Sequence, residues 1–346
     1  MKKFKLKTKI INLIISLFIF VFVIELISFS LNKLDNTKLF RIRVFNEITN
    51  DKRVFTLKKN ISHIEKRIET DNKSWELYTS AKGIRVGKNH KIRNKNDFLF
   101  LGDSVPFGWG VNYENSLPSY FQNSNENFNI INGAVPSYAL NQTIERFFIE
   151  FKDLDNLEYV YLQVIDPALH FSLLGDKWRP EYNWATLFKY IYKEYEFIDI
   201  KIPLYGELYF SEYLKKKIFR IKIKKIQRIK ASEEAKQNYI KHIEDNLNKL
   251  QKYLNAKNVN LILSSIVVPD NIYKTLDAQH QEAIAIFNKV LKEFSLIHKD
   301  VYFFDVSKKI IFNDDFYIDE WHLSSEGASL IADELTIFIN NKILNK

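Results

Sequence analysis

The sequence has 346 residues, of which 46% are hydrophobic and 15% aromatic, and its formal charge is +9. This length allows one large domain with appendages, or two domains, and the apolar content excludes general disorder. There is no cysteine, which excludes disulfides, thiolate metal sites and cysteine nucleophiles. Part of the charge is local, because five lysines lie within the first nine residues, and we do not interpret it as nucleic-acid binding.

Residues 10–31 form an almost uninterrupted apolar stretch behind the lysine-rich tail of residues 1–9. As a helix the stretch is about 33 Å long, enough for a hydrocarbon core of about 30 Å. It predicts one transmembrane anchor with a cytoplasmic N-terminus, so that the large C-terminal domain is extracytoplasmic. A cleaved signal peptide and a buried core helix are the alternatives. Residues 32–92 are charged and mixed, and they are expected to form a stalk and lead-in.

From residue 93 onward, short apolar runs alternate with helical patterns. The predicted strands lie at residues 98–101, 128–131, 158–164, 259–267 and 301–304. This alternation predicts a three-layer α/β/α domain, residues 93–346, with a mostly parallel five-stranded sheet covered on both faces. An aromatic and basic insertion at about 170–232 interrupts it. Within the insertion, segment 214–230 is interpreted as a solvated helix face with a packing stripe, a contact with anionic lipid, or a site for a glycan or protein.

The first of these strands runs directly into Gly102-Asp103-Ser104. Open α/β sheets bind their ligands at the carboxyl ends of the strands, where this serine is placed. A serine is a candidate nucleophile only if a base reaches it. The stretch Asp319-Glu-Trp-His322, near the other end of the chain, offers one. An ordinary strand-to-helix connection and an ordinary loop are the alternative interpretation of these two stretches.

Gly-Asp-Ser-x-x-x-Gly early in the domain and Asp-x-x-His near its end together resemble the SGNH (GDSL) hydrolase family, whose fold is flavodoxin-like. The resemblance implies acyl transfer with Ser104 as nucleophile, His322 as general base and Asp319 as the residue that orients the histidine. Residues 77–85 also resemble, more weakly, a lead-in found in membrane-anchored members. The resemblance implies no cofactor, and the sequence shows no convincing metal constellation.

Two further family motifs concern the oxyanion. The family's Asn-x-Gly turn corresponds to Asn132-Gly133-Ala134, which implies that backbone N–H groups of Ser104, Gly133 and Ala134 bind the oxyanion. In the family's Gly-x-Asn-Asp motif the asparagine donates as well. Here Ile165 stands in its place and cannot donate, and loss of one such donor typically costs about 3 kcal/mol of transition-state stabilisation. Possible replacements, which we do not rank, are Asn141, Gln142 and Gln163.

These observations predict a membrane-anchored serine esterase or acyltransferase. Its expected substrate is an O-acyl group, foremost O-acetyl, on a cell-envelope glycan, or another ester, and the reaction passes through an acyl-serine intermediate. The alternative is a catalytically weak or inactive domain that serves as an envelope glycan-binding or assembly module. The expected partners are the acylated glycan, the membrane through the N-terminal helix, and an envelope-assembly protein. Nucleic acid is not an expected partner.

Overall fold

The computed structural model describes residues 13, 15–16, 19–28, 45–66, 73–89, 93–164, 201–202, 206–207, 231–266, 268–276, 278–308, 314–319 and 321–344. The chain folds as two units. The larger comprises Arg43–Leu187 with Ile226–Lys346, and the smaller comprises Met1–Ile42 with Phe188–Lys225. In the smaller unit, residues 19–28 are helical. Within the described part of the chain, no helix combines the length and apolar character needed to cross a bilayer.

Several sequence-based predictions concern residues outside this described part. They are most of the expected anchor at 10–31, the residue Ile165 that replaces the family's asparagine, and nearly all of the insertion at 170–232, including its basic segment 214–230.

The central element is an eight-stranded sheet in the order β12-β11-β8-β6-β7-β5-β4-β3. The described strands are β1 (Asn46–Ile48), β2 (Phe55–Leu57), β3 (Ser62–Lys66), β4 (Ser74–Thr79), β5 (Arg85–Val86), β6 (Asn96–Gly102), β7 (Phe128–Asn132), β8 (Leu157–Gln163), β9 (Lys201–Ile202), β10 (Gly206–Glu207), β11 (Asn260–Ser264) and β12 (Val301–Phe304). The run from β12 to β7 is parallel. β1 with β2, and β9 with β10 in the smaller unit, form separate antiparallel pairs.

Helices cover both faces of this sheet. The described α-helices of the larger unit are α1 (Ser104–Phe107), α2 (Leu117–Ser124), α3 (Leu140–Arg146), α4 (Glu233–Ala256), α5 (Asp270–Thr275), α6 (Ala278–Ile297) and α7 (Ser325–Ile339). α2 packs with α7 on one face, while α4 packs with α3 and α6 on the other. The larger unit is therefore an α/β fold with a central, mostly parallel sheet, as the alternating pattern predicts.

Strand β6 lies in the middle of the sheet because its side chains are apolar on both faces. The four residues from Phe98 to Leu101 are 0% exposed. Phe98 and Phe100 pack against Phe121 of α2, with ring centroids 4.6 and 5.6 Å apart. A strand that is buried on both faces favours the centre of a parallel sheet. Ser104, which follows the carboxyl end of β6, therefore lies near the middle of the sheet edge formed by the carboxyl ends of the parallel strands.

The sheet has eight strands where the sequence predicts five, and this is a correction. The three additional strands, β3 to β5, come from the stretch expected to be a stalk and lead-in, and they extend the sheet in antiparallel fashion beyond β7. β4 alternates between buried and exposed side chains, with Trp75 and Leu77 facing inward. The outward residues are Ser74, Glu76 and Tyr78, and the strand lies in a segment that is polar on average, which obscures the period-2 pattern.

Candidate active site

The turn between β6 and α1 is built around a glycine that no other residue can replace without movement. Gly102 has φ +144°, and a Cβ atom there would lie 1.7 Å from the backbone oxygen of Gln163 on β8. Asp103 then caps α1, because its carboxylate accepts a hydrogen bond from the N–H of Val105 at 3.2 Å. Ser104 follows as the first residue of the helix and is 9% exposed. The turn therefore places the serine at the carboxyl edge of the sheet.

The structure brings Ser104, His322 and Asp319 into one hydrogen-bonded chain. The Nε2 atom of His322 lies 2.9 Å from the Ser104 hydroxyl oxygen, although 218 positions separate the two residues. The Nδ1 atom of the same ring lies 2.6 and 2.8 Å from the two carboxylate oxygens of Asp319. An ionised carboxylate only accepts hydrogen bonds, so Nδ1 carries the ring proton and Nε2 accepts from the serine. This is the tautomer that a general base needs.

The loop before α7 holds the histidine and the aspartate rigidly. One Asp319 oxygen accepts the backbone N–H groups of Trp321 and His322, both at 2.9 Å. The loop closes on itself through an antiparallel bridge between Tyr317 and Leu323. Ser324 then caps α7 by accepting the N–H of Gly327 at 3.2 Å. Local hydrogen bonds therefore fix the orientation of the imidazole before any substrate binds.

The ionisation state of Asp319 follows from these contacts. Burial on its own raises the pKa of the Asp319 carboxyl group. The opposite charge of His322, together with hydrogen bonds from its ring and from the N–H groups of Trp321 and His322, outweighs that effect, and the net pKa is well below its usual range. The carboxylate is therefore ionised at neutral pH and stabilises a protonated imidazole.

The two backbone donors expected next to Ser104 are engaged within the fold. The N–H of Gly133 donates to the carbonyl of Phe100 at 2.8 Å, and the N–H of Ala134 donates to the side-chain oxygen of Asn132 at 3.2 Å. Either residue would have to give up this hydrogen bond in order to bind an oxyanion. The geometry of the turn thus does not offer these N–H groups to a substrate in the state described.

Ser137 lies in the same turn, and no motif in the sequence points to it. It has a left-handed backbone, φ +68°, and is partly exposed between buried neighbours. Pro136 has no N–H, and the N–H of Val135 donates to the carbonyl of Gly102 at 3.0 Å, which ties the turn to the nucleophile. Among the described residues, no acceptor takes the N–H of Ser137. Only the Pro-Ser pair after an apolar strand hints at such a turn in the sequence.

The three side chains named above as replacements for the family's oxyanion-binding asparagine make other interactions in the fold. Gln163 accepts the hydroxyl of Tyr161 at 3.1 Å. Gln142 accepts the N–H of Ala139 at 3.0 Å, and its amide nitrogen is buried without an acceptor among the described residues. Asn141 also has an interaction of its own. None of the three is brought to the Ser104 hydroxyl by a described contact.

No protein-family model matches this sequence, and no curated protein matches it. Solved structures resemble it distantly. A member of the lipolytic protein G-D-S-L family from Veillonella parvula is 12% identical, with a TM-score of 0.43 over 71% of this chain and 98% of that chain. The psychrotrophic esterase EstA from Pseudoalteromonas sp. is 15% identical, with a TM-score of 0.41 over 73% and 100%. A variant of Axe2, an acetyl-xylooligosaccharide esterase from Geobacillus Stearmophilus, is 13% identical, with a TM-score of 0.42 over 73% and 98%. At these values the likeness assigns no activity or substrate to this chain.

Aromatic side chains flank the histidine. The ring of Trp109 lies 6.2 Å from that of His322 and is partly exposed. Trp321, which precedes the histidine in the chain, stacks on His280 at 5.3 Å. Trp321 therefore has a packing contact away from the serine, whereas the Trp109 ring lies beside the histidine and also packs against Phe45 and Trp75. In the part of the chain that the structure describes, no group of three His, Cys, Asp or Glu residues could hold a metal ion.

Proposed function

We propose that this protein is a serine-dependent carboxylic ester hydrolase or O-acyltransferase that works through an acyl-Ser104 intermediate. The observation that carries the proposal is the hydrogen-bonded chain from the Ser104 hydroxyl through His322 to Asp319. A serine hydroxyl is a weak nucleophile until an imidazole accepts its proton, and here the imidazole is in contact and in the required tautomer.

The first half-reaction forms the acyl-serine. The Ser104 oxygen attacks the acyl carbonyl as its proton moves to Nε2 of His322, and the carbonyl oxygen becomes an oxyanion. When the tetrahedral intermediate collapses, the bond to the alcohol oxygen breaks and His322 returns the proton to that oxygen. Asp319 keeps Nδ1 protonated and stabilises the transient imidazolium throughout.

The second half-reaction decides between hydrolysis and transfer. A hydroxyl from water or from an acceptor attacks the acyl carbonyl while His322 takes its proton, and the same histidine then protonates the departing Ser104 oxygen. Water yields a carboxylic acid, and a sugar hydroxyl yields a new ester. The two outcomes use the same residues.

We assign oxyanion binding to the backbone N–H groups of Ser104 and Ser137. Ser104 is the first residue of α1, where an N–H has no acceptor within the helix. Ser137 lies in a turn that is hydrogen-bonded to Gly102, and its own N–H is not taken by a described acceptor. Two such donors stabilise the charge that develops on the carbonyl oxygen, since hydrogen bonds to that atom strengthen in the transition state.

We further propose that the substrate is an O-acyl group, foremost O-acetyl, on a cell-envelope glycan and that the larger unit faces the extracytoplasmic side. The support is the apolar stretch at 10–31 behind five lysines and the resemblance to membrane-anchored SGNH hydrolases. In the described helical residues 19–28, large apolar side chains such as Phe20 and Phe22 are 61% and 64% exposed. An apolar surface of this kind suits lipid better than water.

The second candidate function is a glycan-binding or envelope-assembly module with little or no catalysis. Two observations favour it. The N–H groups of Gly133 and Ala134 are engaged, and Ile165 stands where the resembled family has a donating asparagine. The contact between Ser104 and His322 speaks against it, because a binding module gains nothing from an aligned nucleophile and base.

The test is hydrolysis of a short-chain aryl acetate by the parent protein and by the Ser104→Ala variant. Turnover that depends on Ser104 supports the enzyme, and acetylated glycans and sugar acceptors then separate hydrolysis from transfer. Equal rates for two folded samples, with neither acetylated glycans nor sugar acceptors consumed, would leave the binding module as the better account.

A further inference from the structure

Arg85 is a fully buried cation next to the nucleophile turn. It is 0% exposed and lies on the short strand β5, beside Asn132 of β7. Its guanidinium group donates to the carbonyl oxygens of Phe107 and Gly108, and to that of Val111 at 2.5 Å. All three carbonyls belong to the segment that directly follows Ser104.

The charge of Arg85 is not neutralised by an ion pair within the described residues. Backbone carbonyls and aromatic rings surround it instead, with the guanidinium carbon 4.6 Å from the ring centre of Phe107 and 5.1 Å from that of Trp75. Burial lowers the pKa of Arg85 to about 9, so the group is still protonated at neutral pH. Its Nε atom is buried without a partner among the described residues. Placing a charge in such surroundings costs folding free energy, which makes stability a poor explanation for it.

The segment that Arg85 binds is short, and Arg85 shares the task of fixing it with a few other groups. α1 has only four residues, too few for a helix to persist by its own hydrogen bonds. Asp103 caps its beginning. At its end, Gly108 adopts φ +81°, and a Cβ atom there would lie 2.8 Å from the guanidinium of Arg85. The amide of Asn132 adds hydrogen bonds to the carbonyls of Pro106 and Phe107 at 3.1 and 3.2 Å.

We propose that Arg85 is a positioning residue for the nucleophile: by binding one carbonyl at the end of α1 and two beyond it, it holds the Ser104 hydroxyl within reach of His322. The inference rests on the proposed function. It also makes the lead-in hairpin β4–β5, which carries Arg85 and Trp75, a part of the catalytic apparatus. The backbone around a nucleophile matters because a displacement of about 1 Å can cost about 100-fold in rate.

The test compares kcat, KM and the rate of fluorophosphonate labelling in the full chain for the parent, Arg85→Met and Arg85→Lys. Leu247→Ala is the control, since Leu247 is a fully buried residue of α4 whose loss lowers stability without touching the site. We expect Arg85→Met to lower kcat and labelling by about 100-fold, with KM within about twofold. Arg85→Lys keeps the charge, but one ammonium group cannot span the three carbonyls, so we expect an intermediate loss.

The inference is overturned if folded Arg85→Met turns over substrate like the parent. If that variant does not fold, Arg85→Lys with parental kcat overturns it. It is also overturned if Leu247→Ala, at a comparable fall in melting temperature, loses as much kcat. A parent protein without Ser104-dependent turnover is a different result, which rejects the proposed function.

Discussion

At the scale of single residues, activation of Ser104 depends on the proton positions around His322. Asp319 contacts Nδ1 through both oxygens and also binds two backbone N–H groups of its own loop. An amide in its place could present its NH₂ group to the ring and favour the opposite tautomer. In that tautomer Nε2 already carries the ring proton, so Nε2 cannot accept the proton of Ser104.

Asp319→Asn should therefore lower kcat by about 10⁴-fold while the fold is retained. The measurement is steady-state hydrolysis of an aryl acetate, with circular dichroism as the check on folding. Asp245→Asn is the matched control, because Asp245 is an exposed partner of Lys241 on α4, far along the chain from the site. Loss of less than tenfold in Asp319→Asn would contradict the assigned role.

The lowered pKa of Asp319 also predicts a pH dependence of stability. A carboxyl group whose pKa is lower in the folded than in the unfolded state stabilises the fold above its ordinary pKa, and this contribution is lost as pH falls from there towards the folded value. We expect the difference in melting temperature between parent and Asp319→Asn to be largest near neutral pH and to shrink below about pH 4. A melting-temperature difference between the two proteins that grows as the pH falls would contradict this prediction.

At the scale of elements, β6 and β8 approach each other more closely at Gly102 than any side chain permits. Gly102→Ala should lower the free energy of unfolding by about 3 kcal/mol, since both the left-handed φ and the carbonyl of Gln163 oppose a Cβ atom. Gly87→Ala is the matched control. A Cβ atom there would lie 2.7 Å from the end of the flexible Glu114 side chain and 3.0 Å from the ring of Tyr113, with no backbone atom in the way, so the loss should be smaller than for Gly102→Ala. Urea titration of both variants measures the difference, and equal midpoints would show that the close approach is not a constraint.

The five parallel strands were predictable because each is a compact apolar run. Since Ser104 follows β6 almost directly in the sequence, its place at the carboxyl end of that strand was predictable too. The strands β3 to β5 were not, since they are short and inward residues such as Trp75 and Leu77 alternate with the mixed set Ser74, Glu76 and Tyr78. The positions of Ser104, His322 and Asp319 were predictable from two short motifs. The oxyanion turn was not, because the fate of each N–H at Gly133, Ala134 and Ser137 depends on which carbonyl or side chain the folded loop places beside it.

The inclusion of β3 to β5 in the sheet predicts how the chain tolerates truncation. A segment that starts at residue 93 lacks Trp75, Leu77 and Arg85, all of which are buried, and exposes one side of β7. We expect it to be insoluble or unfolded. A segment that starts at residue 43, where the larger unit begins, should fold and show a cooperative thermal transition. A stable, active 93–346 segment would contradict this reading of the lead-in.

At the scale of the complete chain, we propose that a membrane anchor is joined to an esterase-like unit. The full chain should remain with membranes through high-salt and alkaline washes and should be released by detergent, because hydrophobic insertion is insensitive to both washes. A chain that begins at residue 43 is the control and should stay in the aqueous fraction. Release of the full chain by salt alone would favour a charge-based surface contact through its lysines over a membrane span.

Covalent labelling tests directly, without knowledge of the substrate, whether Ser104 is a nucleophile that His322 activates. The full chain in detergent is treated with a fluorophosphonate, and the adduct is located by peptide mass spectrometry. We predict a single adduct on Ser104, absent in Ser104→Ala and formed far more slowly in His322→Ala. A folded protein that is not labelled, or whose labelling at Ser104 proceeds equally well without the imidazole of His322, would contradict the account.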